Sequence, residues 1–323
     1  MKFVLSQGVV PEALALLRGA DVQVLNAVDM AEQKAEIADA DAMIIRIAKV
    51  TAEAIDAAEQ LKVIGRTGVG FDSIDVAAAT ARGIPVVLTP GASSRSVAEH
   101  TVAMLYALSK NLVERHNEQM KGNYGIRSKN VTFDLLGKTI LVMGLGAIGS
   151  EVAKLCKANG LRVIGCTSSL TEEKVTALGI EPVRDFRTVL SECDFLTLHM
   201  PLTDSTRGMI GADEISRMKP TAMIVNCARG GIVDENALAA ALNEGRLAGA
   251  GIDCFEHDPP AADDPLLNAR NVIASPHSAA LTKEAMIHVQ KMCMEGCLAV
   301  LHGEKWPYVA DKKVYNHPIW KNR

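Results

Sequence analysis

The sequence predicts an α/β protein built from two doubly wound parallel sheets. Short runs rich in β-branched residues alternate with Ala-rich segments of helical periodicity along almost the whole chain, a pattern typical of repeated βα units. The series occurs twice, and a polar stretch with three glycines, 121–138, separates the two occurrences. A length of 323 residues is sufficient for two such domains without metal or disulfide support, and no metal site is predicted.

The first βα series ends in a long helix. Its predicted strands are 3–5, 22–25, 42–46, 63–66 and 86–88, and its predicted helices are 11–17, 30–38, 51–58 and 73–82. Apolar residues then recur at helical spacing over 96–120, which predicts one long helix. Glu99 follows Ser96 by three residues, as in a capping box at the start of that helix.

The second series predicts strands at 139–143, 161–166, 195–198, 222–226, 248–252 and 271–274. A last helix follows at 283–302, with Thr282 as its N-cap and Gly303 as its stop signal. The tail, which contains both tryptophans, is expected to pack as a strap on the surface.

Composition excludes several classes of function. The net charge is −4 and no basic stretch occurs, so a nucleic-acid footprint is not expected. No apolar run of about 18 residues occurs, and the N-terminus lacks a cleavage signature, so neither a membrane span nor a secretion signal is expected. The seven cysteines are odd in number and form no CxxC pair, which predicts reduced thiols in a cytoplasmic protein.

The most informative local motif is the glycine-rich segment 144–149, GLGAIG, which follows a predicted strand and opens a predicted helix. Gly144 permits a tight turn, Gly146 permits close approach of a pyrophosphate, and Gly149 permits close helix–strand packing. The motif therefore predicts a site for NAD or NADP.

The strand after this motif carries no acid at the position that ordinarily binds the adenosine ribose. It is followed by Thr167, Ser168 and Ser169. Without the acid, nothing repels the 2′-phosphate of NADP, and three hydroxyls can hydrogen-bond to it. However, no arginine is immediately adjacent to favour that phosphate, and Thr167 can equally bond the ribose of NAD. Both cofactors therefore stay open.

Several spaced segments together resemble the D-isomer-specific 2-hydroxyacid dehydrogenase family. They are PTAMIVNCARGGIVDE at 220–235, GAGIDCFEHDPP at 249–260 and ASPHSA at 274–279, combined with the glycine motif. Three more, GRTGVGFDSID at 65–75, PGASSRSVAEHT at 90–101 and HMPLTDSTRGMI at 199–210, extend the resemblance over nearly the whole chain.

This resemblance implies a domain arrangement. A Rossmann cofactor domain of residues 97–282 is inserted in a flavodoxin-like substrate domain of residues 1–96 and 283–323. The helices at 96–120 and 283–302 cross between the domains, and the cleft binds the substrate. It also implies a homodimer through the helix at 96–120.

The same resemblance implies hydride transfer between a nicotinamide cofactor and a small 2-oxo or 2-hydroxy acid. Arg229, which precedes two glycines after a buried-type strand, is expected to hold the carboxylate and polarise the carbonyl. His277, just past the last predicted strand, is expected to act as general acid and base. The family has a glutamate beside this histidine, and the matching position here is Asp258. A bridging water or Glu256 are the alternatives to a direct Asp258 contact.

Further positions carry roles by resemblance. The N–H groups of Gly68, Val69 and Gly70 are expected to grip the substrate carboxylate. Arg46 matches a substrate-contacting arginine that could hold a distal phosphate or carboxylate, although a plain surface charge explains it equally well.

On the cofactor side, the resemblance implies that the N–H groups of Ala147 and Ile148 bind the pyrophosphate and that Asp253 binds the nicotinamide carboxamide. Cys227 is expected to line the cofactor cleft. It is not expected to be a nucleophile, since no base accompanies it.

Two alternatives remain at this level. One is a non-catalytic NAD(H)-sensing protein like the corepressors of the family, although Arg229 and His277 favour an enzyme. The other is a phosphoglycerate dehydrogenase, although the chain ends soon after the second crossing helix and leaves no room for the regulatory domain that some of those enzymes carry. Formate oxidation is disfavoured, because that branch has glutamine where this sequence has an acid.

Overall fold

The computed structural model describes residues 1–129, 132–169 and 171–321. It divides into two compact units, one formed by Met1–Ser93 with Thr282–Arg323 and the other by Ser94–Leu281.

The first unit contains five parallel strands in the order β2-β1-β3-β4-β5, the flavodoxin-like order. The strands are β1 (Lys2–Leu5), β2 (Asp21–Val24), β3 (Ala42–Ile45), β4 (Val63–Arg66) and β5 (Val86–Val87). The helices between them are α1 (Pro11–Leu14), α2 (Lys34–Ile37), α3 (Ala52–Ala57) and α4 (Val76–Ala81). These helices are shorter than predicted because their ends are 3₁₀ turns or capping residues. In α4, for example, the Asp75 carboxylate accepts from the N–H of Ala78, so the helix begins at Val76.

The prediction of one helix over 96–120 is wrong. Two helices occupy this region, α5 (Ser94–Ser109) and α6 (Leu112–Met120), because Asn111 between them adopts the left-handed conformation with φ 50°. The predicted capping box is also wrong. The helix begins before Ser96, and the Glu99 carboxylate pairs with the Arg95 guanidinium at 2.6 Å instead.

The second unit contains seven parallel strands in the order β12-β11-β10-β9-β6-β7-β8, a Rossmann sheet with one additional strand. The strands are β6 (Thr139–Met143), β7 (Arg162–Cys166), β8 (Glu181–Pro182), β9 (Phe195–Leu198), β10 (Met223–Asn226), β11 (Gly249–Ile252) and β12 (Val272–Ala274). The helices are α7 (Ala147–Ala158), α8 (Glu172–Leu178), α9 (Ala212–Ser216) and α10 (Glu235–Asn243). The sequence missed β8, which is too short to show any periodicity.

The chain returns to the first unit through α11 (Lys283–Leu301), which begins at the predicted Thr282 cap. Its two buried cysteines, Cys293 and Cys297, pack over Gly65 of β4, where a side chain would clash with both sulfurs. The tail folds back so that Trp320 is buried and its indole N–H donates to the carbonyl of Gly83 at 2.8 Å.

The central strands β6, β9, β10 and β11 are buried along their whole length, as expected for parallel strands covered on both faces. Ligands of such sheets bind outside the carboxyl ends of the strands. In the second unit the loops after β6, β7, β10, β11 and β12 therefore carry the candidate site. Among the helices of the described ranges, none combines the length and apolarity that crossing a membrane requires.

Candidate active site

The glycine turn connects β6 to α7, and each of its three motif glycines has a different steric reason. A Cβ on Gly144 would lie 2.4 Å from the carbonyl oxygen of His199, and one on Gly149 would lie 1.8 Å from the carbonyl oxygen of Gly144. A Cβ on Gly146 would meet nothing within 4 Å. Gly144 and Gly149 are therefore demanded by packing, whereas the space over Gly146 is open.

This open space fits a dinucleotide pyrophosphate. Gly146 is the N-cap of α7, so Ala147 and Ile148 are its first two residues, whose N–H groups have no acceptor within the helix. Unpaired N–H groups and the positive end of the helix dipole favour a bound phosphate. A side chain at Gly146 would fill the approach path.

The strand β7 leads to the predicted ribose-binding residues. Thr167 is half-buried, and Ser168 and Ser169 are exposed. A cation lies nearby that the sequence did not indicate: the half-buried Lys174 of α8 donates from Nζ to the carbonyl of Leu145 at 3.0 Å, inside the glycine turn. Because Lys174 belongs to the next helix, only the fold brings it to this position.

Arg229 follows β10 on a turn that Asn226 organises. The Asn226 amide oxygen accepts from the N–H of Ala228 at 3.0 Å, and its amide nitrogen donates to the carbonyl of Arg229 at 2.8 Å. The Arg229 guanidinium donates to the carbonyl of Ala228 at 2.7 Å. A Cβ on Gly230 would lie 2.0 Å from the backbone of Phe255, so this turn packs directly on the loop that follows β11.

His277 follows β12 and is paired with Asp258 of the loop after β11. The distance between His277 Nδ1 and Asp258 Oδ2 is 2.5 Å. A carboxylate can only accept, so Nδ1 carries the proton and Nε2 is the nitrogen that remains for proton exchange. Glu256 points to other partners: its carboxylate pairs with Arg207 at 2.8 Å.

Asp253, at the end of β11, is buried, and both of its carboxylate oxygens bind the loop that carries His277. Oδ1 accepts from the Ser275 hydroxyl at 2.6 Å and from the N–H of Ser278 at 2.8 Å. Oδ2 accepts from the N–H of Ala279 at 3.1 Å. The backbone carbonyl of Asp253 accepts from the N–H of His277 at 2.9 Å. His277 is held with φ 50°, a left-handed conformation that is uncommon for a residue with a side chain.

Two buried cysteines, Cys227 and Cys254, lie just past the carboxyl ends of β10 and β11. Burial raises the pKa of Cys227 to about 12, so its thiol stays protonated at neutral pH. Burial also raises the pKa of the neighbouring Cys254; the charges of Asp253 and Asp258 raise it further, and the charge of Arg229 lowers it.

The candidate groups of the first unit lie on the loop after β4 and at the end of β3. Gly68 donates its N–H to the carbonyl of Arg66 at 2.8 Å, whereas, within the described ranges, the N–H groups of Val69 and Gly70 donate to no protein acceptor. The Arg66 side chain folds over this loop and donates to the carbonyls of Thr67 and Gly70 at 2.5 and 2.6 Å. Arg46 lines a small polar pocket with Ser6, Gln7, Thr67 and Gln290.

Comparison with known proteins identifies the family. Residues 102–279, more than half of the chain, match the family model described as D-isomer specific 2-hydroxyacid dehydrogenase, NAD binding domain. The chain belongs to the D-isomer specific 2-hydroxyacid dehydrogenase family.

Several members of the family are similar over most of this chain. A D-3-phosphoglycerate dehydrogenase of Methanocaldococcus jannaschii is 44% identical over 285 residues, which are 88% of this chain and 54% of that protein. A glyoxylate reductase of Korarchaeum cryptofilum is 37% identical over 282 residues, 86% of this chain and 85% of that one. The crystal structure of D-lactate dehydrogenase from Aquifex aeolicus, complexed with NAD and lactic acid, is 29% identical with a TM-score of 0.83, covering 94% of this chain and 96% of that one. The chain spans about half the length of the phosphoglycerate dehydrogenases that it matches.

Some residues at the site of this 2-hydroxyacid dehydrogenase family member were not singled out from the sequence. Asn226, Ser275 and His100 are polar residues that touch the site loops only through the fold. His199 lies under the glycine turn, bonded through Nε2 to the Thr197 hydroxyl at 2.9 Å, and desolvation of its imidazole lowers its pKa to about 3. A polar residue at the end of a buried strand, or directly after it, is the sequence signal that could have indicated Asn226 and His199.

Proposed function

We propose that this protein interconverts a small 2-oxo acid and the corresponding 2-hydroxy acid with a nicotinamide dinucleotide. The observation that carries the proposal is the pair formed by Asp258 and His277, 2.5 Å apart, on the same sheet edge as Arg229 and the glycine turn. The pair fixes which imidazole nitrogen exchanges the proton, and Arg229 is the fixed positive charge that the substrate carboxylate requires.

The chain's own groups supply binding and proton transfer. The planar Arg229 guanidinium holds the substrate carboxylate and polarises the carbonyl at carbon 2. In the reducing direction, His277 Nε2 gives a proton to the carbonyl oxygen, and in the oxidising direction it takes that proton from the hydroxyl. Asp258 accepts the hydrogen bond from Nδ1 throughout, which orients the ring. The bound nicotinamide supplies or accepts the hydride.

The cofactor would be held by the glycine turn of the second unit. The N–H groups of Ala147 and Ile148 bind the pyrophosphate in the space over Gly146, and Thr167 bonds the adenosine ribose. Asp253 is proposed to orient the nicotinamide carboxamide, and Cys227 to line the cofactor site as an inert apolar side chain.

Residues 1–96 and 283–323, which include the five-stranded sheet of the first unit, are proposed as the substrate domain, and residues 97–282 as the cofactor domain. The N–H groups of Val69 and Gly70 favour a substrate carboxylate. Gly68 is assigned to shape this loop, because its own N–H is occupied. Arg46, in its polar pocket, would hold a distal anionic group of the substrate.

The arrangement around Thr167 supports use of NADP. None of the three residues directly after β7 is an acid, and the Lys174 ammonium lies beside the glycine turn, so both charge and hydroxyls favour a 2′-phosphate. We expect Thr167→Asp and Lys174→Met each to lower the ratio of NADPH to NADH affinity by about tenfold, roughly the free energy of one lost or opposed charge contact. Lys154→Met is the matched control, since Lys154 is exposed on α7 and pairs with Glu151. An unchanged ratio in both variants would contradict the assignment.

The substrate is proposed among the 2-oxo acids that the relatives' names indicate. Reduction of glyoxylate, hydroxypyruvate, pyruvate and 3-phosphohydroxypyruvate with each reduced cofactor identifies it. Preference for the phosphorylated acid would support a phosphoglycerate dehydrogenase and a phosphate-binding role for Arg46. Tight cofactor binding with no turnover on any 2-oxo acid would overturn the proposal in favour of a nucleotide sensor.

The role of His277 is tested by His277→Ala. We expect turnover to fall by at least about a hundredfold, since a positioned general acid contributes that much or more, while the affinity for NADH is kept. His302→Ala is the matched control, because His302 is exposed at the end of α11. Near-normal turnover of His277→Ala would refute the acid/base assignment.

We also propose a homodimer in a reducing, cytoplasmic setting. The nine-residue α6 buries none of its residues, and Leu112, Val113 and Met120 are exposed, although a helix this short is marginal without packing. The seven cysteines are all unpaired. Light scattering on the wild type and on Val113→Glu should give a dimer and a monomer, respectively, and a monomeric wild type would contradict the dimer.

A further inference from the structure

Four hydrogen bonds to one buried residue hold the loop after β12. Asp253 accepts from the backbone N–H groups of His277, Ser278 and Ala279 and from the Ser275 hydroxyl. Since His277 has φ 50° within this loop, its backbone conformation depends on these bonds.

Ser275 extends this arrangement to α5. Its hydroxyl lies 2.6 Å from Asp253 Oδ1 and 3.0 Å from Nε2 of His100. A hydroxyl has one hydrogen, and a carboxylate can only accept, so Ser275 donates to Asp253 and accepts from His100. His100 therefore carries its proton on Nε2. This direction excludes a nucleophilic serine, because a catalytic serine would have to donate its proton to the imidazole.

We infer that His100 and Ser275 are positioning residues for His277, acting through the buried carboxylate of Asp253. His100 supplies the hydrogen bond that fixes the Ser275 hydroxyl, and Ser275 with Asp253 fixes the loop. The His277 imidazole is thereby held where it meets Asp258. The inference rests on the proposed acid/base role of His277.

The test compares pairs of substitutions at each position. Ser275→Ala removes the hydroxyl, whereas Ser275→Thr keeps it. His100→Leu removes the donor, whereas His100→Gln places an amide N–H on a side chain of similar length. For all four variants, the measurements are the turnover number, the KM for the 2-oxo acid substrate, the NADH affinity by fluorescence, and the thermal unfolding temperature.

We expect Ser275→Ala and His100→Leu to lower the turnover number by about tenfold or more, with NADH affinity within about twofold of wild type. Ser275→Thr and His100→Gln should recover most of the turnover. Equal activity of Ala and Thr at 275 would overturn the inference. So would a parallel loss of NADH affinity and turnover, which indicates a general structural defect.

Combining Ser275→Ala with His277→Ala separates this inference from the proposed function. If Ser275 acts through His277, the double variant should retain the residual turnover of His277→Ala, with no additional loss. A further drop of tenfold would show that Ser275 acts by another route. If His277→Ala is inactive while Ser275→Ala is normal, only the positioning inference falls. If His277→Ala itself is active, both fall.

Discussion

Gly146→Ala and Gly149→Ala, three residues apart in the glycine turn, are predicted to cause different defects. Gly146→Ala adds a methyl group to open space, and its φ of −71° is a conformation that alanine adopts without strain. Gly149→Ala adds a methyl group 1.8 Å from the carbonyl oxygen of Gly144. The first substitution should weaken cofactor binding in a folded protein, and the second should destabilise the fold.

The magnitudes follow from these contacts. At Gly149, the groups that would clash are both backbone, so the helix or the turn must move by more than about 1 Å, a strain of roughly 3 kcal/mol or more, at the upper end for an overpacked site. The better helix propensity of alanine offsets about 1 kcal/mol, which leaves about 2–3 kcal/mol and a Tm lower by about 5–10 °C. At Gly146, the loss of an N-cap glycine costs below about 1 kcal/mol. Two charge-assisted hydrogen bonds to the pyrophosphate are lost there, so NADH affinity should fall by about 30-fold or more.

Thermal unfolding without cofactor and fluorescence titration with NADH measure the two effects separately. Gly146→Ala should unfold within about 3 °C of wild type and bind weakly. Gly149→Ala should unfold early. Normal NADH affinity in Gly146→Ala would refute the placement of the pyrophosphate over this residue, and a wild-type Tm in Gly149→Ala would refute the packing argument.

Two further predictions concern buried groups. In the folded protein, desolvation lowers the pKa of His199 to about 3, so at mild acidity only the unfolded chain binds a proton at this imidazole. The stability that neutral His199 contributes is complete above about pH 6.5 and is lost progressively as the pH falls toward 3. Between pH 7.5 and 5, protonation of this histidine should lower the free energy of unfolding, measured in urea, by about 2 kcal/mol. The His199→Asn variant should lose correspondingly less stability over the same pH range. An equal loss in both proteins would contradict the assignment. Cys227, with its pKa raised to about 12 by burial, should resist thiol-reactive reagents in the folded protein, and Cys227→Ala should keep turnover within about threefold; rapid labelling or loss of turnover would argue against an inert role.

Much of the fold was predictable because its signals are local. Strand and helix alternate with two different periodicities, and the order of strand, glycines and helix at 139–149 is confirmed by β6, the turn at Gly144 and α7. The break between α5 and α6 was missed because a single left-handed asparagine, Asn111, does not disturb the apolar periodicity on either side. The strand β8 was missed because two residues carry no pattern.

By itself, the sequence determined the fold class, the family, and which residues of each chemical type stand at the ends of the strands. Only the tertiary structure decided which of them meet. It paired Asp258, and not Glu256, with His277, brought Lys174 from the following helix to the glycine turn, and joined His100 to Ser275 across 175 positions of chain. The physical reason is that local conformation depends on neighbours in sequence, whereas hydrogen bonds between side chains depend on how parallel strands place their distant ends along one edge.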